Sequence, residues 1–204
     1  MKILLTGGLG YIGSHIASLL SKNAIIIDNS VNSSLNFKRF LPKAIVYKKN
    51  LNKKSLKEIF NYHDIKGVIH LAGLKSVNQS VKHPTKYYQN NIASSLDLIE
   101  SMENFRVNRL IFSSSATVYG KKNKSPLKEN MELEATNPYG STKIMIEKII
   151  NDYANSNKKF KAISLRYFNP LGADYKKGLI EKPKGDLQNL MPILLDSIIK
   201  KKRI

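Results

Sequence analysis

Residues 2–15 read KILLTGGLGYIGSH, an apolar run that stops in glycines and restarts with a helical pattern. Few folds accept that order. A strand has to end near Thr6, the chain has to turn tightly, and a helix has to begin near Tyr11. Glycines suit such a turn because the backbone must come close to a ligand, and the helix start offers free amides on which a pyrophosphate can sit. The glycines fit two spacings, Gly8-x-Gly10-x-x-Gly13 and the wider Gly7-x-x-Gly10-x-x-Gly13. Either one makes a dinucleotide loop.

The rest of the chain supplies the context for that loop. Apolar, β-rich runs at 2–6, 24–28, 44–47, 67–71, 109–113 and 162–166 alternate with helical patterns at 11–21, 53–62, 85–102 and 138–155. Runs such as AIIID and GVIHLA are nearly continuously apolar, as strands buried on both faces should be. Strand and helix in alternation predict an α/β fold, a Rossmann-like doubly wound parallel sheet with helices on both faces. Asp28 closes the second strand 15 residues after Gly13, where a carboxylate can accept hydrogen bonds from an adenosine ribose. An acid there repels a 2′-phosphate, so NAD is expected rather than NADP.

At 204 residues the chain can build one good core, or one domain and part of another. Lys and Arg number 34 against 15 Asp and Glu, a net charge of +19. The cations are scattered over predicted surfaces without a nucleic-acid-binding motif, so no nucleic acid partner is expected. With no cysteine there is neither a disulfide nor a thiolate metal site. His15, His63, His70 and His83 lack ligand spacing and read as structural, so no metal is expected. No segment reaches membrane-spanning length, and the run Ile3-Leu4-Leu5 is too short for a signal peptide, which predicts a cytoplasmic protein and no membrane partner. Residues 120–137 are polar and read as a surface loop. Beyond Phe168 the chain turns polar and turn-rich, then ends in a helical pattern from Leu190 running into a basic tail at 200–203, which suits a helix C-terminus.

A second constellation is Tyr139-Gly-Ser-Thr-Lys143. Asn137 is a good N-cap and Pro138 a good first helical residue, so Tyr139 falls in the first turn with Lys143 one turn on. Tyrosine, with an ordinary pKa near 10, is a poor base at neutral pH. A lysine at roughly 6 Å contributes about 3 kcal/mol at an effective dielectric of about 20, on the order of two pKa units. The positive helix end and an oxidised nicotinamide push the same way, making Tyr139 a candidate general base for an alcohol. The fifth strand runs into Ser113-Ser114-Ser115-Ala116-Thr117, and hydroxyls at a strand's carboxyl end face the ligand crevice of an open α/β sheet. Ser115 or Thr117 is therefore a candidate partner for the reacting oxygen.

With TGGLGYIGSH, the stretches HLAGLKSV (70–77), YYQNN (87–91), SSSATVYG (113–120), NPYGSTK (137–143) and LRYFNPLGA (165–173) together resemble the UDP-glucose 4-epimerases of the extended short-chain dehydrogenase/reductase superfamily. The resemblance implies a tightly held NAD that is not consumed and a UDP-sugar substrate. Tyr139 would take the proton of the sugar 4-hydroxyl while hydride passes from C4 to the nicotinamide, and the keto sugar would turn over before hydride returns. Ser115 and Thr117 would hold the 4-oxygen, and Lys143 the nicotinamide ribose. Matching positions assign Gly7, Gly10, Tyr11, Ile12, Gly13, Asp28, Asn29, Asn50, Leu51, Leu71, Ala72, Gly73, Lys75, Asn90, Ser113, Tyr139, Lys143 and Phe168 to the cofactor. Lys75, Ser115, Asn169 and Asn189 would contact the substrate. Residues 1–168 would form the NAD-binding domain and 169–204 the beginning of an incomplete small substrate domain. Members are commonly homodimers through a helical bundle that includes the 85–102 and 138–155 helices.

Some positions depart from the family pattern. Asn50 replaces the usual Asp at the adenine amino group, and Gln188 the first Asn of Asn-Asn-Leu-Met-Pro. Family members also continue well past the position of Ile204, so impaired turnover is expected unless a partner supplies the remainder. Sugar-nucleotide dehydratases carry an acid just after the serine/threonine position, whereas Ala116-Thr117-Val118 has none. The alternatives are another NAD-dependent sugar-nucleotide oxidoreductase, an epimerase for another UDP-sugar and a non-catalytic NAD-binding protein. The Tyr139/Lys143 pair favours the wider glycine register, with Gly8 an extra turn residue.

Overall fold

The computed structural model describes residues 1–33, 36–181 and 190–200. Its centre is a six-stranded, wholly parallel sheet in the order β3-β2-β1-β4-β5-β6, the Rossmann-like arrangement expected from strand–helix alternation. The strands are β1 Lys2–Thr6, β2 Ala24–Ile27, β3 Ile45–Tyr47, β4 Ile65–His70, β5 Arg109–Ser115 and β6 Lys161–Tyr167. The helices are α1 Tyr11–Leu20, α2 Phe37–Phe40, α3 Lys53–Tyr62, α4 Val77–Lys82, α5 Pro84–Asn104, α6 Pro138–Ser156 and α7 Leu190–Ile199. Strand order reverses between β1 and β4, so the crevice for a ligand opens above their carboxyl ends.

Period-two alternation divides the apolar runs between two cores. Leu4, Ile25 and Ile27 point toward α3, α5 and α6, where they meet Leu56, Leu98, Met102, Phe112 and Ile146. Leu5 and Ile26 point the other way, toward α1 and α2, with Leu9, Ala17 and Leu41. Both faces of β1 and β2 are therefore covered, which explains their continuous apolarity. β6 differs. Ala162 joins the first core, while Ile163 and Leu165 on the opposite face are 59% and 37% exposed.

Local sequence explains the helix starts. Asn52 Oδ1 accepts from Ser55 N–H at 3.0 Å to cap α3, and Asn137 Oδ1 accepts from Gly140 N–H at 2.9 Å to cap α6. Pro84 and Pro138 occupy the first helical positions of α5 and α6. α1 has no such cap: Gly10 stands at its N-cap, with no side chain bonding its first amides.

The segment read as a surface loop, 120–137, holds no helix or strand, but it is pinned. Glu134 N–H donates to Val118 O at 2.9 Å, and the Asn123 amide donates to Tyr119 O and Glu132 O. Two short helices, α2 and α4, have no counterpart in the predicted pattern, and β5 runs on to Ser115, past the predicted 113. Residues 201–203 of the basic tail lie outside the described residues.

Candidate active site

The glycine turn closes where the strand order reverses. Gly7 has φ +69°, and a Cβ there would lie 2.7 Å from Ala72 N, so only glycine lets the β1 turn touch the loop after β4. Gly13 packs the start of α1 directly on Gly7 and Gly8. Gly10, the middle member of the wide register, is the N-cap of α1. Gly8 is more than an extra turn residue, because its Cα lies against Ile26 of β2, where a Cβ would come within 2.8 Å. The first helical bond is Ser14 N–H to Gly10 O, so the amides of Tyr11, Ile12 and Gly13 begin an uncapped helix.

Around this turn, Asp28 accepts from Leu9 N–H at 3.0 Å and from Ser30 N–H at 2.7 Å, so its carboxylate faces the loop. The Asn29 amide donates to Asn50 Oδ1 at 2.9 Å, which occupies one lone pair of the oxygen expected to meet adenine. Leu51 packs at the edge of the first core. Tyr11 donates its hydroxyl to Gly172 O at 2.6 Å, tying the turn to the chain beyond β6.

On the β4 side, Leu71, Ala72 and Gly73 are partly buried and Lys75 is exposed. Asn90 is exposed on α5, while its unpredicted neighbour Asn91 is buried. Asn91 accepts from Leu74 N–H at 2.8 Å and donates to Leu74 O and to Thr142 Oγ1, clamping the 71–75 loop to α6. The YYQNN stretch contains both residues, and only burial separates them.

Behind that loop is a relay whose directions are forced. Ser95 donates its hydroxyl to Asn91 O at 2.7 Å, so it accepts from His70 Nε2–H at 2.9 Å. His70 Nδ1 is then bare and accepts the Thr6 hydroxyl at 2.6 Å, while Thr6 Oγ1 accepts from Ala72 N–H. Burial, with the nearby Lys143 charge, lowers the His70 pKa to about 3. The folded chain therefore leaves His70 neutral where the unfolded chain protonates it, below the ordinary value of 6.5. Stability contributed by this site is complete above pH 6.5 and falls by about 1.4 kcal/mol per pH unit as acid is added toward pH 3. Denaturant titrations at several acidic pH values should show this contribution as the difference in slope between wild type and His70→Phe.

The second half of the site lies at the end of β5. Tyr139, half-buried in the first turn of α6, hydrogen-bonds the Ser115 side chain. Thr117 donates its hydroxyl to Ser115 Oγ at 3.0 Å, so three hydroxyls converge. Lys143, only 5% exposed, donates from Nζ to Ser113 O at 2.7 Å and sits 5.7 Å from the Tyr139 ring centre and 4.8 Å from that of Phe112. The expected acidification of Tyr139 is not present in the chain alone. Burial raises its pKa, as Tyr87 does; the Ser115 hydrogen bond opposes them. Burial also lowers Lys143 to about 8, against the pull of Glu147. The lysine has thus lost its proton before an unaided tyrosine could lose its own. Phe168 and Asn169 are exposed just past β6, and Asn189 lies outside the described residues.

The two halves stand at the carboxyl ends of the strands, with an uncapped helix end and a carboxylate on one side. On the other is a hydroxyl cluster beside a buried cation. Among the described residues no helix is long and apolar enough to cross a membrane.

Residues 3–204 match the model of the NAD dependent epimerase/dehydratase family. The chain is 45% identical over 212 residues to a UDP-glucose 4-epimerase of Yersinia enterocolitica, covering 98% of this chain and 63% of that protein. It is 46% identical to one of Dictyostelium discoideum, covering 100% of this chain and 62% of the other. Among solved structures it is similar to UDP-glucose 4-epimerase from Bifidobacterium longum in complex with NAD+ and UDP, with a TM-score of 0.91 and 36% identity over 100% of this chain and 64% of the other. The chain thus spans about 63% of the length of the curated relatives it matches.

Proposed function

The chain belongs to the NAD dependent epimerase/dehydratase family, and from that premise we propose that it binds NAD and interconverts UDP-glucose and UDP-galactose through a 4-keto sugar. The observation that carries this reading is the convergence of Tyr139, Ser115 and Thr117 beside buried Lys143 at the end of β5. The chain's own residues fit NAD. A glycine turn whose Cβ space is filled by Ala72 leads into a helix start with no side-chain cap, and Asp28 closes the neighbouring strand.

NAD, when bound, supplies a reversible acceptor for the hydride of C4. Tyr139 takes the 4-hydroxyl proton and returns it, with Ser115 and Thr117 holding the 4-oxygen. Lys143 presents its ammonium to the nicotinamide ribose. Tyr11, Ile12 and Gly13 offer amides to the pyrophosphate, and Asp28 accepts from the ribose. The remaining expected contacts, Asn29, Asn50, Leu51, Leu71, Ala72, Gly73, Lys75, Asn90, Ser113 and Phe168 to the cofactor and Asn169 and Asn189 to the UDP-sugar, belong to the same reading. No carboxylate follows Ser115, so loss of water from the keto sugar has no acid to drive it.

Residues 1–168 serve as the NAD-binding domain and 169–204 as part of the substrate-binding region, in a cytoplasmic protein. A homodimer through α5 and α6 completes the reading, supported by Leu96 and Met145, which stand exposed on these two packed helices. Incubation of the purified chain with NAD and UDP-galactose should yield UDP-glucose by a coupled assay. NAD binding without conversion would favour a non-catalytic NAD-binding protein, and absence of NAD binding would sink the reading.

A further inference from the structure

Tyr139, Lys143 and Glu147 lie one turn apart on the same face of α6. Each meets one of three consecutive residues of β5. Tyr139 bonds the Ser115 side chain, Lys143 donates to Ser113 O, and Glu147 Oε1 accepts from the Ser114 hydroxyl. The Tyr-x-x-x-Lys pair therefore stands on a third contact that neither motif contains. Glu147 is itself 5% exposed and is held from β6 by Arg166, whose Nε donates at 3.1 Å and whose second amino group donates at 2.8 Å. The other amino group of Arg166 donates to Tyr119 OH and Glu129 O, tying in the segment after β5. Ser114 and Arg166 are register partners across β5 and β6, so the carboxylate closes a link among two strands and a helix.

We propose that Glu147 is a positioning residue for the Tyr139/Lys143 pair, holding α6 in register on β5 through Ser114 and Arg166 and acting as the buried counter-charge of Lys143. This rests on the reading above, in which the Lys143 ammonium meets the nicotinamide ribose. The groups that face Lys143 leave Glu147 as its anion. Tyr139 shares its helix, Phe112 and Ser113 O face it from β5, and His70 on β4 is neutral. Tyr87 of α5 faces Tyr139, and Arg166 of β6 is engaged with Glu147. Burial draws the proton off Lys143, and Glu147 opposes that loss. A purely architectural Glu147–Arg166 pair would instead affect stability alone.

The test is NAD affinity as a function of pH for wild type, Glu147→Gln and the double variant Glu147→Gln with Arg166→Met, with Tm measured in parallel. Glutamine keeps an acceptor for Ser114 and removes the charge. Affinity should fall as pH rises through the Lys143 range in all of them, with the midpoint about one unit lower in Glu147→Gln, a loss of about fivefold near pH 8 and none near pH 6. The single variant leaves the partly buried Arg166 guanidinium without its carboxylate and can lose its fold; the double variant avoids the unpaired charge and should still show a lowered midpoint. A midpoint equal to wild type in the folded variants, whatever their Tm, overturns the inference. Wild type that binds no NAD at any pH overturns the underlying reading, and this inference with it.

Discussion

Tyr139→Phe is expected to lower the turnover of UDP-galactose by about 10²- to 10⁴-fold, the usual range for removing a positioned acid–base group. NAD affinity and Tm should stay close to wild type. The substitution deletes only the hydroxyl that meets Ser115, and the ring stays beside Lys143. In the chain alone Tyr139 is a weaker acid than free tyrosine, because burial outweighs the Ser115 hydrogen bond. Lys143, lowered to about 8, is already neutral when an unaided Tyr139 ionises. Under the proposed function, the low pKa that a general base needs at neutral pH would therefore be created by charge brought into the site, above all by an oxidised nicotinamide. Measured kcat, NAD dissociation constant and Tm for both proteins decide this. A variant retaining more than about a tenth of wild-type turnover would remove Tyr139 from proton transfer.

Gly13→Ala should be the most damaging single methyl in the nucleotide half. Its Cβ would lie 2.6 Å from both Gly7 O and Gly8 Cα and 2.9 Å from Gly8 C, all backbone atoms that no rotamer can move. α1 must lift off the turn, at a cost of about 2–4 kcal/mol in unfolding free energy. The displaced helix start carries the free amides with it, so NAD affinity should fall by about a hundredfold or more. Gly10→Ala is the useful comparison. Its Cβ would meet only Gly7 O, at 3.3 Å, so its effect on stability should be small. Denaturant unfolding and NAD titration of both variants separate the cases, and equal stability losses would show that the contact at Gly13 is not limiting.

Much of this was legible in the chain before folding. Continuous apolar runs announced buried parallel strands, and Asn137-Pro138 announced the start of the helix that carries Tyr139 and Lys143. Ser114 and Ser115 look like turn residues, so the pattern ends β5 at 113; in the sheet they pair with Arg166 and Tyr167 and stay extended. α2 and α4 are short, with too few residues to display a helical period. Asn90 and Asn91 are chemically identical, so no local pattern could tell the exposed one from the clamp on Leu74.

The sequence by itself determined the sheet, the dinucleotide turn with its aspartate and the Tyr-x-x-x-Lys helix, because each rests on spacing along a few residues and on the period of strand or helix. Tertiary structure alone decided how those parts act on one another. Gly7 became indispensable when the fold brought Ala72 to it, 65 positions on along the chain, and His70 became neutral when its relay was sealed from water. Glu147 acquired a role because Arg166 closed over it from the next strand. Burial and charge are properties of what surrounds a residue, and those surroundings come from segments far apart in sequence.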